Sequence, residues 1–230
     1  MIPSPTLQKA IKAHEDFVAA HPEQFRLWLP LWRLLAGGKP VSLEQLASSS
    51  HRPLKEIQAE LQSLDVRLDQ EGNILASGLS FQPTRHQFHL GEQALYTWCA
   101  LDTLAFPVLL GHAARVISSC PVTGRQIRLT VTPETIVDLE PASAVVSVHL
   151  PGEETNICSV QEDICNDGHF FVSYDVASTW PSLHPKAVLL SVEEAAELGR
   201  ALASAIRSIA GEQEEDETWR VQQMKKTMPS

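Results

Sequence analysis

At 230 residues the chain is long enough for one large domain or two small ones, each with its own core, and its 43 % hydrophobic and 20 % charged residues exclude wholesale disorder. No apolar run approaches the roughly 18 to 20 residues of a membrane span, and a formal charge of −10 disfavours nucleic acid as a partner. The charge is uneven: residues 1–90 hold nine of the 18 Lys/Arg and nine of the 28 Asp/Glu, so the acidic excess lies beyond them, partly in the run GEQEEDE. Such a run is ordinarily a solvated tail. The start, MIPSPTLQKAIKAHEDF, lacks the apolar core of a secretory signal, so a cytoplasmic location is expected. The four cysteines, Cys99, Cys120, Cys158 and Cys165, are then expected to be reduced thiols.

Leu7, Ile11, Phe17 and Val18 recur at helical spacing before Pro22. PLWRLLAGG places Pro30 at a first helical position and Gly37-Gly38 at the helix end. SLEQLASSS carries a capping box in Ser42 and Gln45, and PLKEIQAELQSL sets Leu54, Ile57, Leu61 and Leu64 on one stripe. VRLDQEGNILASG then reads as two short strands about a Glu71-Gly72-Asn73 turn, and LSFQPTRHQFHL as further extended structure. Helices followed by a hairpin predict a winged-helix-like unit over residues 1–90. Its recognition helix would set Lys55 against Glu56 and Glu60, so the unit reads as structural or substrate-covering rather than as a DNA reader.

From residue 91 the texture changes. GEQALYTWCALDTLAF predicts a single helix, closed by Pro107 and Gly111. ARVISSC, RQIRLTVT, AVVSVHL and HFFVSYDV predict strands separated by turn residues such as Thr123-Gly124 and Pro151-Gly152. KAVLLSVEEAAELGRALASAIRSIA predicts a strand at Val188-Leu189-Leu190, a capping box in Ser191 and Glu194, and an amphipathic helix to about Ala210. The expected fold class is α+β: the helical unit, then a mostly antiparallel sheet with flanking helices over residues 91–211, then a flexible acidic tail over 212–230.

Within LYTWCALDTLAF, Cys99 and Asp102 stand three apart, so on a helix they share a face and can touch one small ligand. A buried cysteine is commonly a small hydrophobe. An aspartate in an apolar helix must be hydrogen-bonded, protonated or functional. Tyr96 and Trp98 read as core residues that can also line a pocket. Cys120, in the turn SSCPVTG, reads as a packed thiol, Cys158 as a solvated loop thiol, and His169 as packed. No C-x-x-C pair supports a structural zinc site, and no glycine-rich loop supports a nucleotide. A cysteine-based metal-binding protein, or a winged-helix regulator sensing through Cys99, stands as the alternative to an enzyme.

The stretch LYTWCALDTLAFPVLLGHAARVISSCPVTG, with the later CNDGHFF, resembles the organomercurial (alkylmercury) lyases. The likeness extends over about residues 27–210 and includes PLWRLLAGGKPVS and DQEGNILASGLS, which are similar to that family's winged-helix-like N-terminal domain. It implies a helix-borne catalytic cysteine at Cys99, an acid at Asp102, a second catalytic cysteine at Cys165 ahead of His169-Phe170-Phe171, and a structural cysteine at Cys120. The stretch PGEETNICSVQEDIC is longer than the family pattern and brings the extra Cys158, which would inherit the role of Cys165 if the register slipped. The implied reaction is protonolysis of a carbon–mercury bond, with mercury held by Cys99, Cys165 and Asp102 as substrate and product. No cofactor is implied. The implied partners are organomercurial substrates, external small thiols needed for turnover, and a mercuric reductase accepting Hg(II), with a monomeric chain and no nucleic acid or membrane.

Overall fold

Ser4 accepts the N–H of Leu7 and opens helix α1 (Pro5–Ala20), whose inner face is Leu7, Ala10, His14, Phe17 and Val18. The structure, a computed structural model, describes residues 3–212, so the expected acidic tail lies outside the described residues except for Glu212. Pro22 opens a second helix, α2 (Pro22–Leu35), and Pro30 lies inside it rather than at its start as the sequence suggested. Burial of Leu27, Trp28, Leu29, Leu31 and Trp32 around that proline offsets the backbone bond it cannot make. Gly37 and Gly38 close the helix as expected.

Helix α3 (Leu43–Ser50) begins with the anticipated box of Ser42 and Gln45, and α4 (Leu54–Glu60) runs into a 3-10 turn at Leu61–Ser63. Ile57 and Leu64 carry the stripe into the core. The hairpin of β1 (Arg67–Leu68) and β2 (Ile74–Ser77) forms about the expected turn, where Asp69 Oδ1 accepts the N–H groups of Glu71 and Asn73.

Strand β3 (Leu79–Ser80) leads to β4 (His86–Leu90) and β5 (Gln93–Thr97), which form a tight hairpin at Gly91, where φ is +57°. The single helix expected over 91–106 is therefore corrected: its first part is a strand, and helix α5 (Ala100–Leu110) starts only after Cys99. Leu95 and Thr97 point inward while Gln93 and Ala94 are exposed, and pairing with both β3 and β4 overrides the helical reading. The larger sheet continues through β6 (Ala114–Ser119), β7 (Gln126–Val131) and β8 (Ile136–Glu140) in the order β1-β2-β3-β5-β4-β6-β7-β8. Strand β8 was not legible because it is a largely exposed edge with Asp138 at φ +57°. Residue 90 thus falls at the turn of a hairpin, and one sheet runs to either side of it.

A second sheet, β10-β9-β11, pairs β9 (Val145–His149) with β10 (Phe170–Phe171) and β11 (Ala187–Ser191), and the pairings in both sheets are antiparallel. Between β9 and β10 lie a 3-10 turn at Ile157–Ser159, helix α6 (Val160–Asp163) and another 3-10 turn at Cys165–Asp167. The strand expected over HFFVSYDV stops at Phe171 because Ser173 accepts the N–H of Val176 and starts α7 (Tyr174–Ala177), which α8 (Trp180–Leu183) follows. Helix α9 (Val192–Ile209) has the expected Ser191–Glu194 box.

Helix α5 is apolar on all sides apart from Asp102 and Thr103 in its first turn, and is buried accordingly. Its tightest neighbour is α9, where a Cβ on Gly199 would stand 3.0 Å from the carbonyl carbon of Leu104 and 3.2 Å from the nitrogen of Ala105. These are backbone atoms that cannot swing aside. Gly199→Ala should cost about 1–3 kcal/mol by forcing the two helices apart, against the small gain in helix propensity, and denaturant unfolding checks it.

Candidate active site

Cys99 has extended backbone (φ −139°, ψ 172°) and is the N-cap of α5. Its sulfur accepts the N–H of Asp102 at 3.4 Å, and Asp102 Oδ2 accepts the N–H of Cys99 at 3.1 Å. This is a capping box with a thiol where serine usually stands. The two residues are neighbours as expected, but because they close the head of the helix and not because both lie within it. The cap places the sulfur against the positive end of the α5 dipole, which favours thiolate.

Cys165 reaches the same point from the other sheet. Its Sγ lies 4.0 Å from Asp102 Oδ2, and the two sulfurs and a carboxylate oxygen are all within 4.8 Å of one another. Among the described residues no other group of three or more His, Cys, Asp or Glu side chains converges in this way. The approach depends on Gly168, whose carbonyl accepts the N–H of Ala100 at 2.9 Å and whose missing Cβ would stand 2.9 Å from the Cβ of Cys99. The turn is fixed behind by Ser147, which donates to the Asp167 carbonyl at 2.5 Å, and by His149 and His184, whose Nδ1 atoms lie 2.9 and 2.6 Å from the Asp167 carboxylate.

The three groups face a cavity of about 90 Å³ whose lining is largely apolar. Trp98 contributes from the motif itself, and α1 and α2 contribute His14, Phe17, Trp28 and Trp32. Sequence reasoning allowed the N-terminal unit a substrate-covering role but did not single out the residues of α2 that form the wall, although Phe25, Trp28 and Trp32 form an aromatic stripe at helical spacing. His14 was legible as the one polar residue on the inner face of α1. Its Nδ1 donates to the Ala10 carbonyl at 2.8 Å, and burial lowers its pKa to about 4, so it is neutral.

Burial raises the Asp102 carboxyl to about 6 against the hydrogen bonds from Cys99 and Trp98 that favour its ionised form. The contact with Cys165 pulls the Cys99 thiol down, but burial and the Asp102 charge outweigh it and the net shift is upward. Cys165, sharing that contact from the unfavourable side and buried as well, is pushed well above an ordinary thiol. Near neutrality the site therefore holds a carboxylate able to accept a proton and two thiols that keep theirs.

Cys120 is buried in the turn after β6, where hydrogen bonds from Thr123 and backbone amides outweigh the effect of burial and lower its pKa. Cys158 is exposed and stands outside the converging group, which Cys165 joins instead. The four cysteines do not form one metal site.

Residues 79–204 match the family model for alkylmercury lyase. An alkylmercury lyase of Staphylococcus epidermidis is 43 % identical over 179 residues, 77 % of this chain and 82 % of that one. That of Streptomyces lividans is 44 % identical over 181 residues, 78 % and 83 % of the two chains. The chain belongs to the alkylmercury lyase family. Its fold also matches the crystal structure of the mercury-bound form of MerB2, with a TM-score of 0.70 and 25 % identity over 86 % of this chain and 99 % of that one. For a member of this family, the converging sulfurs and carboxyl are the groups best suited to the named chemistry.

Gly168→Ala tests how closely they must approach. The added methyl has no room against Cys99, so the Cys165 turn should retreat and the affinity for Hg(II) in competition with a small dithiol should fall, while unfolding remains cooperative. Unchanged competition would show that the turn has slack.

Proposed function

We propose that the protein is an organomercurial lyase that cleaves the carbon–mercury bond by protonolysis, giving Hg(II) and the protonated hydrocarbon, with Cys99, Asp102 and Cys165 as its catalytic residues. The observation that carries this reading is the convergence of two buried thiols and one carboxyl in an aromatic-walled cavity. Mercury is soft, so thiolate binds it where imidazole or carboxylate would not compete.

Asp102, ionised above about 6, takes the Cys99 proton, and the thiolate attacks R–Hg–X and expels X⁻. That first proton leaves with X⁻. Cys165 then gives its proton to Asp102 Oδ2 as its sulfur joins mercury, and the added electron density makes the bound carbon more basic. Asp102 passes this second proton to carbon, the carbon–mercury bond breaks, and R–H departs. Mercury remains as the bis-thiolate of Cys99 and Cys165. Exchange with external thiols then removes it one sulfur at a time and returns the protons. No resident cofactor enters this scheme.

The helices α2, α3 and α4 with the β1–β2 hairpin form a winged-helix-like unit up to about residue 90. Support comes from the order of the elements and from the bridge of Val41 to Ile74, which adds a third strand position to the hairpin. The unit serves as a wall of the pocket. Arg52, paired with Glu60 and Glu56, leaves α4 without the basic face that DNA requires. Among the described residues no helix is long and apolar enough to cross a membrane. We place the enzyme in the cytoplasm as a monomer, where small thiols and a mercuric reductase accept its Hg(II) in mercury detoxification.

The deciding experiment incubates the purified protein with phenylmercury and excess small thiol and measures benzene; none forming would overturn the enzyme reading in favour of simple binding. Cys99→Ser and Cys165→Ser should each abolish release. Asp102→Asn should bind the mercurial yet lose about 10²–10⁴-fold in cleavage, the ordinary contribution of a positioned acid.

A pH dependence follows from the same carboxyl. Its pKa is raised, so the ionised form that accepts the Cys99 proton is depleted as pH falls through about 6. Single-turnover capture of phenylmercury should therefore decline over that range on going to acid, and Asp102→Asn should be slow and lack this limb. A wild-type profile that stays flat through it would remove Asp102 as the proton acceptor.

A further inference from the structure

The helix that precedes Cys165 is a four-residue turn, Val160–Asp163, too short to persist without tertiary support. At its centre the support comes from the N-terminal unit. Asp65, with only 3 % of its surface exposed, accepts the backbone N–H of Gln161 through Oδ2 at 2.8 Å, and through Oδ1 it accepts Arg67 Nη1 at 2.8 Å. The other arm of Arg67 donates to Gln161 Oε1 at 2.6 Å, and its guanidinium lies 5.5 Å from the centre of the Trp98 ring. One guanidinium thus touches the residue before Cys99 and a residue four before Cys165.

We propose that Asp65 and Arg67 are positioning residues that set the Cys165 segment against Cys99, so that the N-terminal unit completes the two-sulfur site as well as walling it. Val160 and Ile164, on either side of the held residue, line the cavity, so movement of α6 displaces both the pocket wall and the sulfur. The pair is chemically suited to this duty. A buried carboxylate without its guanidinium would be an unpaired charge, which ties the place of Arg67 to that of Asp65. A planar fork can serve two acceptors while lying near a ring, as an ammonium cannot.

The proposal rests on the lyase reading, and its test separates the two. Compared in a Cys158→Ser background, which removes the exposed thiol, Arg67→Ala should retain capture of phenylmercury by Cys99 but lose about 10²-fold in the cleavage rate constant, the scale expected when a reacting group is displaced by about 1 Å. It should also weaken the ultraviolet sulfur–mercury absorption of the Hg(II) complex. Gln161→Ala should show the same pattern to a lesser degree, and Gln161→Glu, which keeps an oxygen for Arg67, should restore cleavage. The proposal is overturned if Arg67→Ala and Gln161→Ala cleave like wild type, if capture and cleavage fall in parallel, or if Gln161→Glu is as slow as Gln161→Ala. Should Arg67→Ala fail to fold, the two Gln161 variants decide alone. Absence of benzene from the wild-type protein would overturn the lyase reading, and the absorption of the Hg(II) complex in the variants would still test the positioning.

Discussion

The reciprocal bond between Cys99 and Asp102 at the head of α5 is the constraint on which the site depends. A helix must cap its first amides, and this one does so with two groups that the proposed chemistry needs. The geometry of the pair is therefore set by backbone hydrogen bonding. Burying α5 among α9, α2 and the larger sheet then fixes where that cap points, and Gly199 and Gly168 allow the close approaches this requires.

Sequence was most informative where local chemistry decides structure. The boxes at Ser42 and Ser191, the turn at Gly72 and the amphipathic α9 could be read directly, because each signal lies within a few residues. It misled where tertiary contact decides. Residues 93–97 lead without a break into the apolar stretch of α5 and so read as part of one helix with it, and only pairing on both edges makes them a strand. Pro30 suggested a helix start because the burial that sustains an interior proline is not visible locally. Cys99 and Asp102 were legible from their spacing and family resemblance, whereas the aromatic wall from α1 and α2 depends on contacts across the whole chain.

The electrostatics of the site follow from a conflict between burial and hydrogen bonding. Two thiols and a carboxyl share a cavity whose walls solvate charge poorly, so burial raises all three, and hydrogen bonds from backbone amides offset that rise only in part at Asp102. The ordinary order of proton affinities is kept, with Asp102 below the two sulfurs. Such an order lets a proton be held in one place and delivered in another without bulk water in the cavity.

The position of Cys158 bears on how mercury is counted. This thiol lies exposed on the same connection as Cys165, seven residues away in sequence, yet apart from the converging group. A lone surface sulfur captures a mercurial but has neither the second sulfur nor the carboxyl that cleavage needs. Metal bound per chain and reagent-accessible thiols therefore include a fraction that performs no chemistry. For this protein, stoichiometry of binding and concentration of competent sites are separate quantities, and hydrocarbon released per chain is the measure of the latter.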